Sequence, residues 1–167
     1  MQGIDEVQAQ RLADDTAARQ RALALASFIV EAPAGAGKTE LLTQRVLRLL
    51  AVVNEPEEVL ALTFTNKAAS EMRDRILGSL ASAAHAADDL PPHKQETRRW
   101  ALAVRARDAE RNWGLSAHPG RLRIMTLDAL AASLARQMPL LSRFGAQPQV
   151  TERAAEHYAA AARQTFA

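Results

Sequence analysis

The sequence predicts an α/β fold with a parallel sheet flanked by helices, and two features of the chain predict it. Short apolar runs at Ser27–Val30, Val59–Phe64 and Leu122–Thr126 read as strands, and stretches with helical spacing follow them. The first run also stops at a glycine-rich turn, Ala32-Pro33-Ala34-Gly35-Ala36-Gly37-Lys38-Thr39, which leads straight into a helical pattern.

Taken in order, residues 5–25 have a helical composition, with Leu12, Thr16, Arg19 and Leu23 on one face. The strand at Ser27–Val30 comes next. Residues 39–53 form a helix whose apolar positions are Leu41, Leu42, Val46, Leu49, Leu50 and Val53, with Gln44, Arg45 and Arg48 on the other side. Asn54-Glu55-Pro56 ends it. Val59–Phe64 is apolar enough to be a strand buried on both faces, as parallel strands are. Thr65 or Asn66 can cap the following helix, which presents Ala68, Ala69, Met72, Ile76 and Leu80 to the interior.

The pattern lapses over residues 81–95, where Asp88-Asp89-Leu90-Pro91-Pro92 reads as a surface loop. A helix over 94–113 has Trp100 and Trp113 as packing anchors. After a loop from Gly114 to Gly120, the strand Leu122–Thr126 leads into a helix over 127–137 that ends before Pro139. Phe144-Gly145 and Pro148 mark a turn, and residues 151–166 are helical, with Thr151-Glu152 as a cap.

The chain has 167 residues, enough for one domain with a core. It has no cysteine, which excludes disulfides and thiolate-bound metals, and its four histidines lie far apart. No segment reaches the roughly 18 uninterrupted apolar residues of a membrane span. The N-terminus lacks a signal-peptide layout, so a cytoplasmic protein with no membrane partner is the default expectation. The formal charge of +2 argues only weakly for nucleic acid. Lysine occurs only at 38, 67 and 94, and the remaining basic residues are arginine, which suits phosphate contact.

The turn at 32–39 has the layout of a phosphate-binding loop. Small residues, Ala34, Gly35, Ala36 and Gly37, let backbone N–H groups curl around an anion. The first turn of the next helix adds unpaired N–H groups and the positive end of its dipole. Lys38 would neutralise β- and γ-phosphates, and the Thr39 hydroxyl would ligate Mg²⁺. The usual pattern is met except at its first position, where Ala32 replaces glycine.

Two blocks resemble superfamily 1 DNA helicases of the UvrD/Rep type. Ala32–Thr39 resembles that group's motif I, which begins with alanine, and Thr63-Phe64-Thr65-Asn66-Lys67-Ala68-Ala69-Ser70-Glu71-Met72-Arg73 is close to its motif Ia. Ile124-Met125-Thr126-Leu127-Asp128-Ala129-Leu130 resembles motif Ib, with Asp128 where the family has histidine, and Arg19-Gln20-Arg21-Ala22-Leu23 resembles the Q motif. The wording of Arg136–Gly145 and the long insert between Ia and Ib are similar to the RecB/AddA helicase–nuclease branch.

The resemblance implies an incomplete RecA-like P-loop NTPase motor domain, with a helical insert at about 81–120 and the start of a further helical subdomain at 140–167. It implies that Gln20 reads adenine, that Ala34 to Thr39 hold ATP and Mg²⁺, and that Arg73 reaches the nucleotide. Phe64 would stack a DNA base, and Thr65, Asn66 and Thr126 would bond DNA phosphates. Lys67 would be a point charge near that strand. Read without it, Gln20 is a solvated helix residue, Arg73 a surface arginine and Phe64 a core residue. The implied partners are single-stranded DNA, duplex ends and a helicase–nuclease subunit.

Hydrolysis also needs an aspartate–glutamate pair after an apolar strand, and none is present. Asp14-Asp15 lies in a helix and Asp88-Asp89 in a loop, while Asp128 lacks the next acid. Together with the small number of strands, this points to part of a larger helicase that binds ATP–Mg²⁺ weakly and neither hydrolyses it well nor unwinds DNA. The alternatives are a small complete P-loop enzyme such as a kinase, and a non-catalytic DNA- or partner-binding module that keeps the loop as a relic.

Overall fold

The computed structural model describes residues 2–85, 90–137 and 154–165. The described elements run α1 (Gln2–Ala22), α2 (Lys38–Leu50), a 3₁₀ turn at Pro56–Glu58, β1 (Leu60–Thr63), α3 (Asn66–Ala83), α4 (Pro92–Arg111), a second 3₁₀ turn at Pro119–Arg121, β2 (Arg123–Thr126), α5 (Leu127–Gln137) and α6 (Ala154–Thr165). The chain divides into two compact units, residues 1–127 and 128–167.

In the first unit, α3 packs against α2, α4 and both strands, and α2 packs against α4. Leu47 and Leu50 of α2, Ile76 and Leu80 of α3, and Ala101 and Val104 of α4 fill the core with Trp113, Leu115 and Ile124. Trp113 is the anchor the sequence predicts: it is fully buried, and its indole Nε1 donates to the Asn54 carbonyl at 3.0 Å. Trp100 is half-buried, with Arg48 and Arg99 over its ring. A smaller apolar cluster of Ala22, Leu23 and Leu41 joins the end of α1 to α2. From Val7 to Arg21 α1 is largely exposed, Leu12 included, so the predicted stripe through Leu12 and Thr16 is not a buried one.

The described sheet has two parallel strands, with Leu60 opposite Arg123 and Thr63 opposite Thr126. The predicted strand at Ser27–Val30 does not form. Its backbone has no ladder partner among the described residues, and Ile29 is 92% exposed. Side chains of α2 hold the stretch just before it instead, and reach the segment itself only at Phe28. Arg45 donates to the carbonyls of Ala22 (2.5 Å), Ala24 (3.0 Å) and Ala26 (2.5 Å) and lies over the Phe28 ring, and Arg48 donates to Leu23.

β1 is also not buried on both faces. Ala61 packs towards the core, but Leu60 and Leu62 stay exposed, because α3 covers only one side of the sheet. Gln44 departs from expectation in the other direction. It is buried, since α4 covers the side of α2 that looks polar in sequence, and its amide donates to Thr97 Oγ1 at 3.0 Å and to the His93 carbonyl at 2.9 Å.

Other boundaries shift by a few residues. The predicted helix over 39–53 ends at Leu50, the one over 94–113 spans Pro92–Arg111, and the strand from Leu122 starts at Arg123. In the second unit, α6 carries almost wholly exposed side chains. Asp88-Asp89, the turn at 144–148, the Thr151 cap and residues 138–145 of the downstream block lie outside the described residues.

Candidate functional site

The glycine-rich turn joins the tail of α1 to the head of α2. The Ala36 N–H donates to the Pro33 carbonyl at 3.3 Å, and Gly35 and Gly37 take φ of 79° and 77°. Those left-handed values favour glycine at both positions. Gly37 is the N-cap of α2 and supplies no side-chain cap, so the first N–H groups of the helix keep their capacity to bind an anion. The Lys38 ammonium donates to the carbonyls of Ala32 (2.5 Å) and Pro33 (2.7 Å), folding across the loop it would serve. Thr39 is exposed, and its carbonyl accepts from the Thr43 hydroxyl at 2.9 Å.

An open cleft of about 230 Å³ lies beside the turn, lined by Arg19, Phe28, Ala32, Ala36 and Lys38 among others. Gln20 is exposed on α1 and does not line this cleft; its neighbour Arg19 does. In sequence Arg19 stands only on the α1 face and beside Gln20, with no sign that it reaches the glycine-rich turn. The one local signal is Asp15 a helical turn earlier, whose carboxylate accepts from Arg19 Nε at 2.7 Å. Arg73 is also away from the cleft lining. It is half-buried on α3 and donates through Nη2 to the Ile124 carbonyl at 2.6 Å, which ties α3 to β2.

The residues expected to meet DNA gather at the carboxyl ends of the two strands, because the parallel register places Thr126 beside Thr63. Phe64 is 87% exposed, so the core reading of this side chain does not hold. Thr65 is the cap of α3, its hydroxyl accepting from the Ala68 N–H at 3.1 Å. Asn66 is exposed on the first turn, and Thr126 is buried. Lys67 pairs loosely with Glu71 at 4.0 Å.

Among the described residues no group of three acidic or histidine side chains could hold a metal ion by itself. The loop fits the bound form of a nucleotide better. It offers two left-handed glycines, uncapped helical N–H groups, a lysine at the head of α2 and an exposed threonine hydroxyl beside it. Among the described residues no helix is long and apolar enough to cross a membrane.

The family model described as the UvrD/REP helicase N-terminal domain matches residues 14–160. The chain is 43% identical over 82 residues, 48% of its length, to DNA helicase II of Haemophilus influenzae, covering 10% of that protein. It is 50% identical over 54 residues to the ATP-dependent DNA helicase PcrA of Leuconostoc citreum, which is 32% of this chain and 7% of that protein. It is 42% identical over 53 residues to an ATP-dependent helicase/nuclease subunit of Clostridium novyi, which is 30% of this chain and 4% of that protein. The chain thus matches a tenth or less of the length of these relatives. No solved structure matches it. The match over most of its length places the chain in the UvrD/REP helicase N-terminal domain family.

Proposed function

We propose that this chain is the ATP-binding N-terminal part of the first RecA-like domain of an ATP-dependent DNA helicase that acts in repair or recombination. The observation that carries the reading is the loop at 32–39: left-handed Gly35 and Gly37 lead into an uncapped α2 headed by Lys38 and Thr39. Its relatives' names describe ATP-dependent DNA helicases, and one describes a helicase/nuclease subunit, which favours duplex ends and a partner subunit. Residues 81–120 would then be an insert and 140–167 the start of a helical subdomain.

In this reading the N–H groups of Gly35, Ala36 and Gly37 cradle the phosphates, with Ala34 shaping the turn. Lys38 leaves the carbonyls of Ala32 and Pro33 to neutralise the β- and γ-phosphates. Thr39 would hold Mg²⁺ through its hydroxyl, and the ion would supply charge neutralisation. Gln20, outside the cleft lining, would read adenine from the end of α1, and Arg73 would reach the nucleotide only on leaving the Ile124 carbonyl. Phe64, Thr65 and Asn66 form a strand-end surface for single-stranded DNA, where ligands gather in open α/β sheets, and Thr126, buried at the end of β2, would have to be uncovered to join it. The chain lacks an aspartate–glutamate pair after an apolar strand, so binding without turnover is expected.

Titration with a fluorescent ATP analogue tests this. Saturable, Mg²⁺-dependent binding that Lys38→Ala abolishes supports the reading. Equal binding by the wild-type and Lys38→Ala chains overturns it, and turnover lost in Lys38→Ala would show that these residues include a catalytic acid.

A further inference from the structure

Arg19 sits on a largely exposed stretch of α1, from Val7 to Arg21, yet its guanidinium is built into the glycine-rich turn. Nε donates to Asp15 at 2.7 Å and Nη2 to the Ala36 carbonyl at 2.6 Å. That carbonyl belongs to the peptide joining Ala36 to Gly37, which is trans. In a trans peptide the C=O and N–H point in opposite directions. Holding the carbonyl towards α1 therefore turns the Gly37 N–H away from α1. Among the described residues this N–H donates to no backbone carbonyl, and it adjoins the uncapped first turn of α2. What favours glycine at 37 is its left-handed φ of 77°, for a Cβ there would meet Arg19 Nη1 only in ordinary contact at 3.4 Å.

We propose that Arg19 is a positioning residue of the phosphate site, a role that rests on reading residues 32–39 as a nucleotide loop. Anchored by Asp15, it fixes the Ala36–Gly37 peptide with its N–H turned to receive a phosphate oxygen. Its guanidinium lines the same cleft as Lys38, with its charge balanced there by Asp15, so its part is to hold the peptide rather than to add net charge. A planar fork is needed for this, because one guanidinium must span a carboxylate and a carbonyl at once.

The test combines amide NMR of the chain without nucleotide, thermal melting, and titration with a fluorescent ATP analogue and Mg²⁺. Arg19→Ala is expected to shift the Gly37 amide resonance before any nucleotide is added. It should weaken the analogue by about tenfold, the loss of one charge-assisted contact's worth of affinity, with the melting temperature unchanged. Arg19→Lys should restore little of either effect. The proposal is overturned if Arg19→Ala leaves the Gly37 amide and the affinity unmoved while Lys38→Ala loses binding. It is equally overturned if the melting temperature falls with the Gly37 amide in place, which makes Arg19 a stability residue. Undiminished binding by Lys38→Ala counts against the nucleotide loop itself, and the nucleotide-free amide still judges how the peptide is held.

Discussion

Arg121 grips Glu57 with two donors, Nε to Oε1 at 2.7 Å and Nη2 to Oε2 at 3.0 Å, and so joins the 3₁₀ turns that precede the two strands. The same guanidinium reaches Glu55 at 2.8 Å and the Trp113 carbonyl at 3.1 Å. The bond from Arg121 holds the Glu57 carboxyl below the usual glutamate range, against a smaller opposing effect of burial. A carboxylate with a lowered folded pKa stabilises the fold above its unfolded pKa, and that stability is lost as pH falls through the folded value. Urea midpoints should therefore drop on acidification below about pH 4.5, and Glu57→Gln should flatten that part of the profile. The effect is small, because the pair is solvent-screened, and it should shrink in high salt. An acid limb identical in Glu57→Gln and wild type would rule the pair out as its source.

Removal of Trp113 should be the most damaging of the aromatic substitutions. Trp113→Ala empties a fully buried site, which costs about 3–5 kcal/mol. Trp113→Phe keeps much of the volume but loses the bond to the Asn54 carbonyl, at a cost of about 1 kcal/mol for that bond. Trp100→Ala should cost less than Trp113→Ala, since Trp100 is only half-buried. Chemical denaturation of the three variants checks the order.

Phe64 and Thr65 are neighbours with separable roles. Phe64→Ala should leave stability unchanged and weaken single-stranded DNA binding by about 1–3 kcal/mol, the worth of one stacked base. Thr65→Ala removes the cap of α3 and should lower stability by about 1 kcal/mol, whereas Thr65→Ser keeps it. Fluorescence anisotropy with a labelled oligonucleotide, run beside thermal melts, separates the two. DNA affinity unaffected by Phe64→Ala would remove that ring from the interface.

The helices and the glycine turn were legible because their signals are local. Apolar spacing marks α2 and α3, and the closely spaced Gly35 and Gly37 mark the turn that the structure shows. What failed depends on partners far along the chain. An apolar run such as Phe28-Ile29-Val30 looks the same whether or not a strand pairs with it, and here none of the described strands does. Gln44 reads as solvated until α4 brings Thr97 against it from 53 residues away. Arg19 was invisible as a loop residue for the same reason: its partner Ala36 lies 17 residues on, across the turn.

Arg45 and Arg48 belong to the helix that the glycine-rich turn runs into, yet they hold the carbonyls of the residues before it. The segment between therefore leaves and rejoins one rigid rod, as a closed ring. Its ends cannot drift apart, so the end-to-end search that makes free loops entropically costly is settled when the chain folds. What is left for an arriving ligand is to choose among internal torsions. The stem of the turn is thus preorganised, and little of a ligand's contact energy has to offset ordering of the chain.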